Sequence, residues 1–249
     1  MARLIRAQRC TLLVFLTAIF TMIFLSTVIA LGQALSGDST PARQVAIARS
    51  TYIDLSTPDS ARKAMVVMPE ESERANRYDA PTMRPFYNFQ NPSESGSARV
   101  VITAHWINDP LPVATSDIVV IGTVISASPH LSKSGSGIYT TFIFTPDTFL
   151  KTQNRPPQSS LLLERFGGVI LYPSKEKRFI GVKGRALPEP NYKYLLFLKL
   201  IGTSGSYEIL SGYALVDNHV ISLEPDGKAL ESLSMAELIS RTKLLVSTP

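Results

Sequence analysis

The chain has 249 residues, 45% of them hydrophobic and 18% charged, with 14 Gly and 17 Pro. That composition excludes a fibrous or wholly disordered protein and allows one or two domains. A net charge of +5 invites comparison with nucleic-acid binders, and a single cysteine excludes an internal disulfide and a zinc ribbon.

The charge is unevenly placed. Arg3, Arg6 and Arg9 stand alone at the N-terminus, whereas residues 38–99 hold eight basic and eight acidic residues and residues 100–249 hold fourteen and twelve. Three of the five net charges therefore precede residue 10, and no nucleic-acid partner is expected.

Thr11 to Gly32 is an almost unbroken apolar run (TLLVFLTAIFTMIFLSTVIALG). As a helix its 22 residues would span roughly 33 Å, which matches a hydrocarbon core of about 30 Å. The expected plan is a cytoplasmic tail (1–10), a transmembrane signal anchor (11–32), a flexible spacer (33–98) and an extracytoplasmic β-domain (99–249). The arginines before the span keep the N-terminus cytoplasmic. A cleavable secretory signal is the rival reading, since small residues at Val28/Ala30, Ala30/Gly32 or Gly32/Ala34 suit a signal peptidase. Cys10 precedes the run, where no lipoprotein cleavage site would put it.

From Asp38 to about Gly96, six prolines and balanced charges interrupt any periodicity, which is why this stretch reads as a spacer. Two helical turns are marked within it, at Thr57-Pro58-Asp59 and at Pro69-Glu70-Glu71, because proline and acids favour the first turn. Beyond Val100 the pattern turns β-like. Asp117–Ser126 is apolar on both alternations and predicts a strand covered on both faces. Further strands are expected at Ile138–Thr145, Leu161–Phe166, Val169–Tyr172, Lys177–Lys183, Tyr192–Ile201, Tyr207–Val216 and His219–Leu223. Gly167-Gly168 reads as a two-residue hairpin between the runs Leu161–Phe166 and Val169–Tyr172, and Asp217-Asn218 as the turn of a closing meander. Ser234 and Glu237 have capping-box spacing ahead of an amphipathic helix that would turn Leu233, Leu238, Ile239, Leu244 and Leu245 toward the sheet. The fold class is mainly β: an antiparallel OB-like barrel or sandwich with a C-terminal helix, behind one transmembrane helix.

Asp117-Ile-Val-Val-Ile-Gly-Thr-Val, Tyr139-Thr-Thr-Phe and Phe149-Leu-Lys151 resemble the opening strands of netrin-like modules, found in tissue inhibitors of metalloproteinases and in bacterial envelope proteins of unknown role. The resemblance covers about 35 of the 249 residues and implies an OB-like barrel. The inhibitors act through an N-terminal cysteine that this domain lacks, so protease inhibition is not carried over.

The chemistry is sparse. His105, His130 and His219 have no metal-ligand companion at helical or hairpin spacing, and no nucleophile elbow or phosphate loop is present. No enzyme activity, metal or cofactor is expected. His105-Trp106 reads as a strand end against the core. A hydrolase would have to gather Asp217, His219 and a loop serine from dispersed positions. The strongest candidate contact is basic: Lys175, Lys177, Arg178, Lys183, Arg185 and Lys193, interleaved with Tyr172, Phe179 and Tyr192. On one strand face these would meet an anionic polymer or lipid headgroups; the competing reading is a solvated edge strand whose lysines block edge-to-edge pairing. The expected partners are the lipid bilayer and an envelope protein or anionic polymer.

Overall fold

Strand β2 (Ile118–Leu131) shows why a strand can be apolar on both alternations. Ile118, Val120 and Val124 join one core, while Val119 and Ile121 join another on the opposite face of the same sheet. Successive side chains of a strand point to opposite faces, so a strand between two cores needs apolar residues at every position. Strand β7 (Lys193–Ile201) repeats this, with Tyr194, Leu196 and Leu198 on one side and Leu195 and Phe197 on the other.

The computed structural model describes residues 51–80, 83–94, 109–152, 158–202 and 205–248, all within one compact unit, Ser50–Pro249. Two sheets organise it. The larger has the order β4-β3-β2-β7-β8-β9, with β3 at Ile138–Thr152, β4 at Leu161–Phe166, β8 at Ser206–Val216 and β9 at His219–Ser222. Consecutive neighbours are antiparallel, and β4 also pairs in parallel with β8 through Leu163↔Tyr207 and Glu164↔Glu208. Register shifts between Val119/Val120, Ile121/Gly122 and Val124/Ser126 break the β2–β3 ladder, and such bulges bend and twist long strands. The smaller sheet has the order β1-β5-β6, from β1 (Ile53–Asp54), β5 (Gly168–Leu171) and β6 (Lys177–Ile180).

The fold is therefore mainly β with antiparallel sheets and a C-terminal helix, as the strand pattern predicts. The Gly167-Gly168 hairpin does not form. β5 leaves β4 and pairs with β1 and β6, and Gly167, at φ +120, is where the chain changes sheets, a backbone region open to glycine.

The expected spacer is also corrected over residues 51–94. Helices α1 (Pro58–Ala64) and α2 (Ser72–Arg77) follow β1, with a 3₁₀ turn at Pro69–Glu71 between them. Thr57 caps α1 by accepting the Ser60 N–H at 3.2 Å. Ile53, Leu55, Ala61, Phe86 and Tyr87 share a core with Leu131, Ile138, Ile170, Tyr172 and Ile180. The few apolar residues of this proline-rich stretch are enough because the β-domain supplies the other half of their core.

The terminal helix α3 (Met235–Ser247) carries both halves of its capping box: the Glu237 N–H donates to Ser234 Oγ at 3.3 Å and the Ser234 N–H to Glu237 Oε2 at 2.8 Å. Leu238 is buried and Leu233, Met235, Ile239 and Val246 pack with it. Leu244 and Leu245, expected on the same face, are 68% and 44% exposed. Among the described residues no helix is long and apolar enough to cross a membrane; the run Thr11–Gly32 and His105-Trp106 lie outside the described residues.

Candidate functional site

The six cations singled out by the sequence do not form one surface. Lys175 (φ +63), Lys177 and Arg178 sit together on the β5–β6 hairpin. There the Lys177 ammonium lies 4.2 Å from the Tyr52 ring centroid, and Arg178 stacks 5.5 Å from Tyr172 while donating to Glu176 Oε2 at 2.6 Å. Lys183 is exposed in the turn after β6. Arg185 turns inward, donating from Nε to Glu224 Oε2 at 2.7 Å and from Nη2 to the Leu210 carbonyl at 3.2 Å. Lys193 belongs to the other sheet and pairs with Asp147 at 2.8 Å.

Arg185 is one part of a buried network. Glu224 also accepts from Arg165, whose side chain is 3% exposed. With both groups enclosed, ion pairing has to compensate charges held out of water, and burial pushes the Arg165 guanidinium down to about 10. This network ties β4 to the chain after β6 and the chain after β9. Asp217 and Asn218, both with positive φ, make the β8–β9 turn beside an exposed His219, so the acid and imidazole of that tripeptide serve a hairpin.

The concave site lies elsewhere. α1 and the chain after it face the far end of the β2–β3 hairpin across a cavity of about 470 Å³, within the size range of small-molecule sites. Its polar lining is Asp54, Ser60, Lys63, Glu71, His130 and Tyr139, and its apolar lining includes Ile53, Val66, Val67 and Leu131. Local bonds hold the N-terminal segment over this end of the sheet. Thr51 Oγ1 donates to the Ala127 carbonyl at 2.9 Å, and the Ser134 N–H and hydroxyl donate to Asp79 Oδ1 at 2.8 and 2.9 Å. A methyl group at Gly137 would overlap the Tyr78 carbonyl, so only glycine permits this approach.

Within the cavity wall an aromatic stack runs from Tyr78 through Tyr139 to His130, with centroids 4.7 and 5.1 Å apart. His130 Nε2 lies 2.9 Å from Thr141 Oγ1, and its Nδ1 is 3.6 Å from Glu71 Oε1. Burial holds the imidazole below its ordinary range; Glu71 opposes that shift and Arg74 reinforces it. Burial also raises the Tyr139 phenol to about 12. Behind the stack, Glu164 is fully buried, accepting from Arg77 Nη1 at 3.0 Å with Arg74 Nε 3.9 Å away. Arg74 Nε and Glu164 Oε1 have no hydrogen-bond partner among the described residues.

Sequence reasoning named His130 only as an imidazole without a companion. Its neighbours Glu71, Tyr139 and Lys63 carry no local signal, because the cavity joins segments with no shared spacing. Lys151 is structural, since its ammonium donates to the carbonyls of Val113 and Ser116, both at 2.7 Å. Compared with known proteins, the chain matches no protein-family model and no curated protein.

Proposed function

We propose that this chain is a single-pass, membrane-anchored protein that displays an OB-like β-domain outside the cytoplasm as a binding module of the cell envelope. The cavity between the N-terminal segment and the β2–β3 hairpin carries the binding half of this reading, because it gathers polar groups from separate elements around an apolar floor. The anchor rests on the sequence: three arginines followed by 22 apolar residues. The OB-like barrel is supported by the β4–β8 pairing, which brings the first strand of the order β4-β3-β2-β7-β8 back to the fifth.

Protease added to intact spheroplasts is expected to degrade the β-domain and spare a short membrane-embedded fragment; a protected domain reverses the topology. A photo-crosslinking residue at Val66, on the cavity, is expected to capture an envelope component that the same residue at Lys228 does not. Equal capture from both positions would remove the cavity from the proposal. The small residues at 28–34 favour one alternative, release by signal cleavage, which predicts a mature N-terminus at residue 31, 33 or 35 by mass spectrometry.

A further inference from the structure

Asp54, Glu71 and Lys63 line the cavity, and among the described residues no ion pair joins either acid to the lysine. Asp54 accepts the Ser56 N–H at 2.8 Å and the Ser60 hydroxyl at 3.4 Å, and the bonds from Ser56 above all hold its carboxyl below the ordinary range. Glu71 meets His130 at 3.6 Å, while Arg74, three residues on, is turned to the Glu70 carbonyl and to Glu164. Burial keeps the His130 ring neutral near pH 7, so the lining carries two negative charges against one exposed lysine.

The contact between His130 and Glu71 also lacks a proton donor. The Thr141 hydroxyl donates to the Ser128 carbonyl at 3.3 Å, so in its 2.9 Å contact with His130 Nε2 it accepts. That assigns the single N–H of the neutral ring to Nε2. Nδ1 is left as a bare acceptor facing Glu71 Oε1, acceptor against acceptor.

We infer that the cavity takes a primary ammonium group, on a soluble monoamine or a lipid headgroup, which donates to Glu71 Oε1 and His130 Nδ1 in the field of Asp54. A water there supplies the donor and no charge. A quaternary ammonium supplies the charge and no N–H. A carboxylate or phosphate would meet two like charges. A bare metal ion lacks ligands, since among the described residues no three His, Cys, Asp or Glu stand close enough to hold one. Lys63 leaves the lining short of a single positive charge, which suits a monoamine better than a polyamine. An ammonium site presupposes the binding module proposed above; its test depends neither on membrane topology nor on what Val66 captures, so the two fail separately.

The full chain in nanodiscs of phosphatidylcholine, a lipid without N–H on its cation, is followed by hydrogen–deuterium exchange with butylamine, tetramethylammonium or butyrate at about pH 7.5. Peptides covering 58–71 and 128–139 report on the cavity, and 235–247 is the internal control. Butylamine is expected to slow exchange in the first two and leave the third unchanged, while tetramethylammonium and butyrate slow neither. In Glu71→Gln, about fivefold more butylamine should be needed for the same protection, the scale of one partly exposed ion pair. Nanodiscs with phosphatidylethanolamine and no added amine separate the sources: protection there places the ammonium on a headgroup, and protection by butylamine alone places it on a soluble amine. Equal protection by tetramethylammonium, protection by butyrate, an unaltered butylamine requirement in Glu71→Gln, or no protection from either amine source would each overturn the assignment.

Discussion

Glu164 has no exposed surface and faces two arginines of α2, and one of its oxygens and Arg74 Nε lack hydrogen-bond partners among the described residues. Removing one member of a buried charge pair leaves the other uncompensated, which costs more than the pair gains over an apolar substitute. Glu164→Gln should therefore lower unfolding stability by about 3 kcal/mol, near the low end of such losses because Arg77 still reaches solvent; urea denaturation measures it. His130 gives a pH dependence of known sign. Its folded pKa lies below the ordinary 6.5, so the folded state binds fewer protons than the unfolded chain between the two values. The stability linked to a neutral ring is complete above about pH 6.5 and is lost as the pH falls through the folded pKa. His130→Gln should flatten the fall in urea midpoint between about pH 7.5 and 5. Neither residue stands out in the sequence, because burial is what gives an ordinary Glu or His its consequence.

At the level of elements, α3 separates what periodicity can and cannot decide. Its capping box was legible because both partners lie within one turn. Its buried face was legible only in part. Leu238 is enclosed by β-strand residues, whereas Leu244 lies 68% exposed, and hydrophobicity alone does not distinguish them. Leu238→Ala should cost about 2–5 kcal/mol and Leu244→Ala less than about 0.5 kcal/mol in the same denaturation assay. The β4–β5 junction went the other way. Two glycines between apolar runs are a fair hairpin signal, yet β5 takes β1 as its partner, a choice made between distant segments that local turn chemistry cannot weigh. Gly137→Ala tests the close approach of the N-terminal segment: the forced shift of the Tyr78 carbonyl should cost about 1–3 kcal/mol, as overpacking does.

For the whole molecule, the core shared by residues 53–87 and 131–180 means that the β-domain does not begin at residue 99. A chain beginning at residue 95 would leave Leu131, Ile138, Ile170, Tyr172 and Ile180 without half of their neighbours. It should elute as aggregate in size-exclusion chromatography, where a version that retains residues 51–94 elutes as a discrete species. The sequence by itself determined the β class, most strand positions, the capped terminal helix and the turn at Asp217-Asn218, because each follows from neighbours within a few residues. Only the tertiary structure decided that a proline-rich stretch is part of the domain, that three of six basic residues share a hairpin, and that Lys63, Glu71, His130 and Tyr139 line one cavity. Those outcomes depend on which distant segments bury each other's apolar surface, and composition and periodicity within a single segment carry no record of that competition.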